Sequence, residues 1–67
     1  MSMSKSEAAW HVLMSADYWS RSDDPCYRPT KVEKESAINA AFDHLFYSHG
    51  VSFSLVEIVE LKRKFGV

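Results

Sequence analysis

The sequence predicts an all-α fold, a single domain over residues 1–67 with three helices, the second and third forming a hairpin or helix-turn-helix-like pair. Three observations predict it. The pattern Ser/Thr-x-x-Glu occurs three times, as Ser4-Lys5-Ser6-Glu7, Thr30-Lys31-Val32-Glu33 and Ser54-Leu55-Val56-Glu57. In that pattern the hydroxyl accepts from the backbone N–H three residues on, and the glutamate reaches back to the cap N–H. Each occurrence opens a stretch whose apolar residues recur at helical spacing. Stops are also in place. Asp23-Asp24-Pro25 closes the first stretch, since proline disfavours helix in the residue before it. Gly50 and Gly66 stand where a left-handed residue ends a helix.

The first helix is expected over about 5–21, with a core stripe of Ala9, Val12, Leu13, Ala16 and Trp19. A second row, Trp10, Met14 and Tyr18, is spaced i, i+4, i+8 and points away from Val12 and Ala16. A large apolar row outside the core has two readings. The polar connection from Ser22 to Pro29 folds back over it through Tyr27 and Pro29, or the row is a protein–protein or homodimer surface. The second helix is expected over about 31–48, with Ile38, Ala41, Phe42, Leu45 and Phe46 facing the core. The third is expected over about 55–65, with Leu55, Ile58, Leu61 and Phe65 inward and Val59 at the edge. Ala9, Ala16 and Ala41 would let helices approach closely beside the large rings.

The stretch HGVSFSLVEIVELKRK, from His49 to Lys64, has the shape of a turn entering the second helix of a helix-turn-helix. Leu45, Gly50, Val51, Val56 and Val59 fall where that motif wants glycine and apolar residues. Phe46 stands where a small alanine usually sits between the helices, and His49 where an apolar residue usually sits. If this helix read DNA, Ser52, Ser54 and Glu57 would lie near bases, and Lys62, Arg63 and Lys64 on phosphate. Base reading leans on Arg, Lys, Asn and Gln, with glutamate a minor reader of cytosine. The acids here occupy the first half of the helix and the bases its last turns. A helix dipole favours that gradient without any ligand.

Composition narrows the classes. Hydrophobic residues make up 46% of the chain and there are nine aromatics, so a packed core is expected rather than disorder. A net charge of −1 gives no overall attraction to phosphate or anionic lipid. Cys26 is the only cysteine, which rules out an internal disulfide and fits a reducing cytoplasm. No secretory signal and no membrane span are expected. His11, Cys26, His44 and His49 show no zinc-site spacing, so no metal or other cofactor is expected. Cys26 has Arg28 nearby but no histidine and carboxylate partners in a catalytic pattern, and Asp43 and His44 point apart on a helix. There is no glycine-rich phosphate loop, and Glu33 and Glu57 would already occupy the helix N-termini where an anion could bind. An enzyme is not expected from so small a chain.

The opening MSMSKSEAAWHVLMSADYW, the single-domain length and the helix-turn-helix-like HGVSFSLVEIVELKRK together resemble the small accessory proteins encoded in the early regions of temperate lambdoid phages. The resemblance implies a cytoplasmic, non-enzymatic protein of a phage or prophage that adjusts host or phage processes by binding a partner. It carries over no functional residue. The expected function is thus a small regulatory interaction protein acting through protein–protein contact, with Trp10, Met14 and Tyr18 as its partner face and a homodimer as the simplest assembly. The alternative is a DNA-binding regulator that uses the third helix.

Overall fold

The computed structural model describes residues 3–21 and 26–67. They form three helices, α1 (Lys5–Ser20), α2 (Lys31–His49) and α3 (Leu55–Phe65), with no strand among the described residues. The expected starts are the observed starts. α1 ends one residue earlier than expected and α2 one residue later. The Asp23-Asp24-Pro25 stop lies outside the described residues.

Each start has a local cause. Thr30 and Ser54 form complete capping boxes: each hydroxyl oxygen accepts from the glutamate N–H three residues on, and each glutamate accepts the cap N–H in return. At α1 only half of the pattern forms, with Ser4 Oγ accepting from Glu7 N–H at 3.2 Å. The ends of α2 and α3 turn on Gly50 and Gly66, both left-handed, at φ 66° and 93°. At the first of these, Val51 N–H donates to the Leu45 carbonyl at 3.2 Å, which tucks the Val51 side chain under the end of α2.

The main helix interface is α1 against α2. The two run antiparallel. Lys5, at the start of α1, reaches Ser52 just beyond the end of α2. Trp19 and Ser20, at the end of α1, border a hollow with Val32, Ser36 and Ala37 from the start of α2. Ala8, Val12 and Ala16 from α1 join Ala37, Ile38, Ala41 and Leu45 from α2 in one buried cluster. Four of these seven are alanine, so the helices come close at the expense of buried volume. Ser20 is buried in the same strip and satisfies its hydroxyl by donating to the Asp17 carbonyl at 3.0 Å.

α3 adds Leu61 to the cluster, with Phe65 half-buried against it, and Ile58, also half-buried, lines a hollow with Phe42 and Phe53. It is held at both ends by long side chains. Lys5 ion-pairs with Glu57 in its first turn at 3.0 Å, and the Lys34 ammonium lies 5.4 Å from the centre of the Phe65 ring at its end.

Three core assignments from the sequence are corrected here. Trp19, Phe46 and Leu55 are exposed, whereas Ala8, Ser20, Ala37 and Val51 are buried in positions the sequence stripes did not include. The reason is geometric. The closest packing is along the alanine strips, so the large rings beside them fall on flanks. α1 and α2 pack most extensively, while the 11-residue α3, about 16 Å long, makes a small contact with α1 and a lesser one with α2. The α2–α3 hairpin pairing expected from the sequence is therefore not the main packing, and the flanks of the 19-residue α2 stay open.

Candidate functional site

The row on the outer side of α1 is in solvent. Trp10, Met14 and Tyr18 are 58%, 50% and 77% exposed. With 3.6 residues per turn, their centre lies roughly 180° around the helix from the buried Ala8–Val12–Ala16 strip. His11 meets Trp10 edge-on, with ring centres 5.1 Å apart. The covering loop considered from the sequence is not formed by the residues described: Tyr27 turns instead to α2, where its hydroxyl donates to Glu33 Oε2. An apolar row of this size, two rings and a thioether on one helix face, has the composition of an interface centre rather than of ordinary surface.

The second candidate site, for DNA, starts at the turn before α3. Here the structure brings in a residue that sequence reasoning did not consider, Lys5. Its ammonium donates to the Ser52 carbonyl at 2.5 Å and to Glu57 Oε1 at 3.0 Å, and lies 5.0 Å from the centre of the Phe53 ring. No local signal could have found this contact, because 47 residues separate Lys5 from Ser52. Glu57 also accepts the Ser54 N–H at 2.9 Å. That backbone donor and the Lys5 ammonium hold the Glu57 carboxyl below its ordinary 4.5. Ser54 Oγ in turn accepts from Glu57 N–H at 3.3 Å. Two of the three side chains proposed to face bases, Ser54 and Glu57, are therefore engaged within the chain.

The three basic residues differ from one another. Lys62 is half-buried, while Arg63 and Lys64 are exposed. Among the described residues none of the three has a carboxylate within ion-pair distance. Being consecutive, they fan out over about 200° of the helix, so they form no single phosphate-facing line. Val56 and Val59, which a helix-turn-helix would bury, are 67% and 47% exposed.

At the start of α2, Glu33 mirrors Glu57. The Tyr27 hydroxyl and the Thr30 N–H hold its carboxyl below the ordinary 4.5, and the same bond holds the Tyr27 phenol above its ordinary 10.0. His44 and His49, although five residues apart, bring their ring centres within 6.0 Å, and Trp19 meets His44 edge-on at 5.8 Å. No group of three or more His, Cys, Asp or Glu side chains is assembled among the described residues.

Described residues line two open hollows on the surface. One, of about 180 Å³, lies where α2 meets the turn and is lined by Phe42, Phe46, Val51, Phe53 and Ile58 with Asp43 and Ser52 at its edge. The other, of about 380 Å³, lies between Trp19 and the start of α2. Neither draws together the several convergent polar groups that orient a small ligand. No helix among the described residues is long and apolar enough to cross a membrane. No protein-family model, no curated protein and no solved structure matches the chain.

Proposed function

We propose that the protein works by non-enzymatic protein–protein contact, as a small regulatory module whose partner face is the Trp10–Met14–Tyr18 row. The observation that carries this reading is the position of that row, exposed on α1 directly opposite the strip that packs on α2. The simplest partner is a second copy. A two-fold axis would set α1 against its own copy, so that the same residues serve both sides. Burial of a large side chain stabilises by roughly 1.5–3 kcal/mol, and three on each protomer exceed what most exposed polar contacts contribute. The resemblance to early-region accessory proteins of lambdoid phages fits the reading and extends it, to a partner in the cytoplasm of a bacterium carrying phage or prophage.

Sedimentation of the wild type across a wide concentration range tests it, alongside the double variant Trp10→Ala, Tyr18→Ala. A dimer for the wild type and a monomer with undiminished helical circular dichroism for the variant is the expected result. A wild type that stays monomeric at the highest concentration would remove self-association from the proposal. A variant that unfolds would make the row internal core.

The second reading is a DNA-binding regulator in which α2 and α3 act as a helix-turn-helix-like pair. Lys62, Arg63 and Lys64 favour it, since none is in an ion pair among the described residues. So does the left-handed turn at Gly50 followed by the Ser54 cap. Its discriminator is duplex binding that weakens steeply with salt, in proportion to the phosphates contacted. In that case Lys62→Ala would weaken all sequences alike, and changes at Ser54 would alter the preference among them.

A further inference from the structure

α3 carries a second apolar face that the α1 row does not explain. Leu55, Val56 and Val59 are 77%, 67% and 47% exposed and lie on the side of the helix away from Leu61 and Phe65. One turn further along, the same side carries Lys62 and Arg63. The helix dipole accounts for bases in the last turn. It does not account for three aliphatic side chains in water in the first two turns, where a solvated helix face is ordinarily polar. Glu57 lies on the opposite flank, engaged by Lys5 and the Ser54 N–H. Glu60, which borders the face beside Val56 and Arg63, is not within ion-pair distance of Lys62 or Arg63 among the described residues.

We infer that the outer face of α3 is a docking site for an acidic, apolar helical segment of another protein. The occupant follows from charge complementarity. Its apolar residues, at i, i+3 or i+4 spacing, would cover Leu55, Val56 and Val59, and its carboxylates one turn on would meet Lys62 and Arg63. A basic segment would face the like charges of Lys62 and Arg63, neither of them in an ion pair among the described residues. A membrane surface fits less well, because the apolar part is short and aliphatic, lacks an aromatic anchor, and belongs to a chain of net charge −1. The site lies on a different helix from the proposed self-contact, so a dimer built through α1 would present two copies of it.

The test is selection of helical peptides from a random displayed library on the full chain, followed by mapping of the selected peptides on the isotope-labelled protein by amide chemical shifts. Enriched peptides should be net acidic with apolar residues at helical spacing, and should shift Leu55, Val56, Val59, Lys62 and Arg63. The double variant Lys62→Glu, Arg63→Glu should weaken them by about tenfold or more. The exposed change Val56→Asp should do the same with helical content kept. Binding should persist in Trp10→Ala, Tyr18→Ala, which separates this site from the α1 row. Enrichment without acidic bias, shifts confined to α1, or no enrichment over the Lys62→Glu, Arg63→Glu protein would each overturn the proposal. So would binding to mixed phosphatidylcholine–phosphatidylserine vesicles that the same variants abolish, which would make the face a lipid-surface site.

Discussion

Lys5 shows how one side chain ties distant parts of a small chain. It joins the first turn of α1 to the turn before α3 and to the cap of α3, through one carbonyl, one carboxylate and one ring. The caps it adjoins are local and testable one by one. Replacing Ser54 or Thr30 with alanine leaves the N–H of Glu57 or Glu33 without its side-chain acceptor, and should destabilise the protein by about 0.5–2 kcal/mol in urea titrations. Ser4→Ala should cost less than either, because its reciprocal bond is missing. The ionisable partners set the pH limits. Glu57 and Glu33 have folded-state values below 4.5, so the stability they contribute is present above that pH and is lost as pH falls through the folded values. Tyr27 is raised above 10.0, so its contribution is present below that pH and is lost as pH rises through the folded value. The variant Glu33→Gln should therefore flatten part of the acid limb of the urea midpoint against pH, and Tyr27→Phe should flatten the alkaline limb. An alkaline limb unchanged in Tyr27→Phe would mean that the Tyr27–Glu33 bond is not formed in solution.

At the scale of the helix, what can be read from sequence follows from how local its cause is. The starts at Lys5, Lys31 and Leu55 were legible because a cap and the glutamate that answers it are three residues apart. The end at Gly50 was legible because few residues other than glycine take a φ of 66° without strain. The buried side was only partly legible. Periodicity gives a stripe, but Trp19 and Val12 fall on nearly the same side of α1, and only the approach of α2 decides which is covered. The alanines decide it: helices closing on Ala8, Ala16, Ala37 and Ala41 leave Trp19 and Phe46 outside. Of the candidate sites, the α1 row could be read because it opposes the core stripe of its own helix. The Lys5 contact could not, and the outer face of α3 was hidden because periodicity put Leu55 inward and Val59 only at the edge. Gly50 offers a clean test at this scale. A Cβ there meets nothing within 4 Å, so Gly50→Ala reports backbone strain alone. It should destabilise by about 1–2 kcal/mol with no change in helical content, and Gly50→Asn should recover part of that. A neutral Gly50→Ala would mean that the turn between α2 and α3 relaxes to another conformation in solution.

The whole molecule is thin. Its Cα radius of gyration is 12.0 Å, against about 11 Å for a compact domain of this length, and its smallest dimension is 16 Å. Among the described residues the largest side chains with essentially no exposure are Val12 and Ile38, while Trp10, Tyr18, Tyr47 and Leu55 stand mostly in water. A chain of this size is marginal when its core is filled well, and here much of its apolar surface is outside the core. Association is the physical remedy: anything that binds the folded chain and not the unfolded one adds stability by mass action. If the partner of the α1 row is a second copy, unfolding of the dimer releases two chains and its midpoint must depend on protein concentration. A tenfold rise in concentration is worth about 1.4 kcal/mol of dimer stability, which for this size should raise Tm by about 4–7 °C. The variant Trp10→Ala, Tyr18→Ala should show a lower Tm with no concentration dependence, because its monomer unfolds in a unimolecular step. Ile38→Ala should lower stability by about 2–5 kcal/mol while keeping the concentration dependence, since it damages the core and leaves the row in place. A wild-type Tm that does not move over a hundredfold range of concentration would show that the thin fold stands alone, and would leave the exposed row for a partner of a different kind.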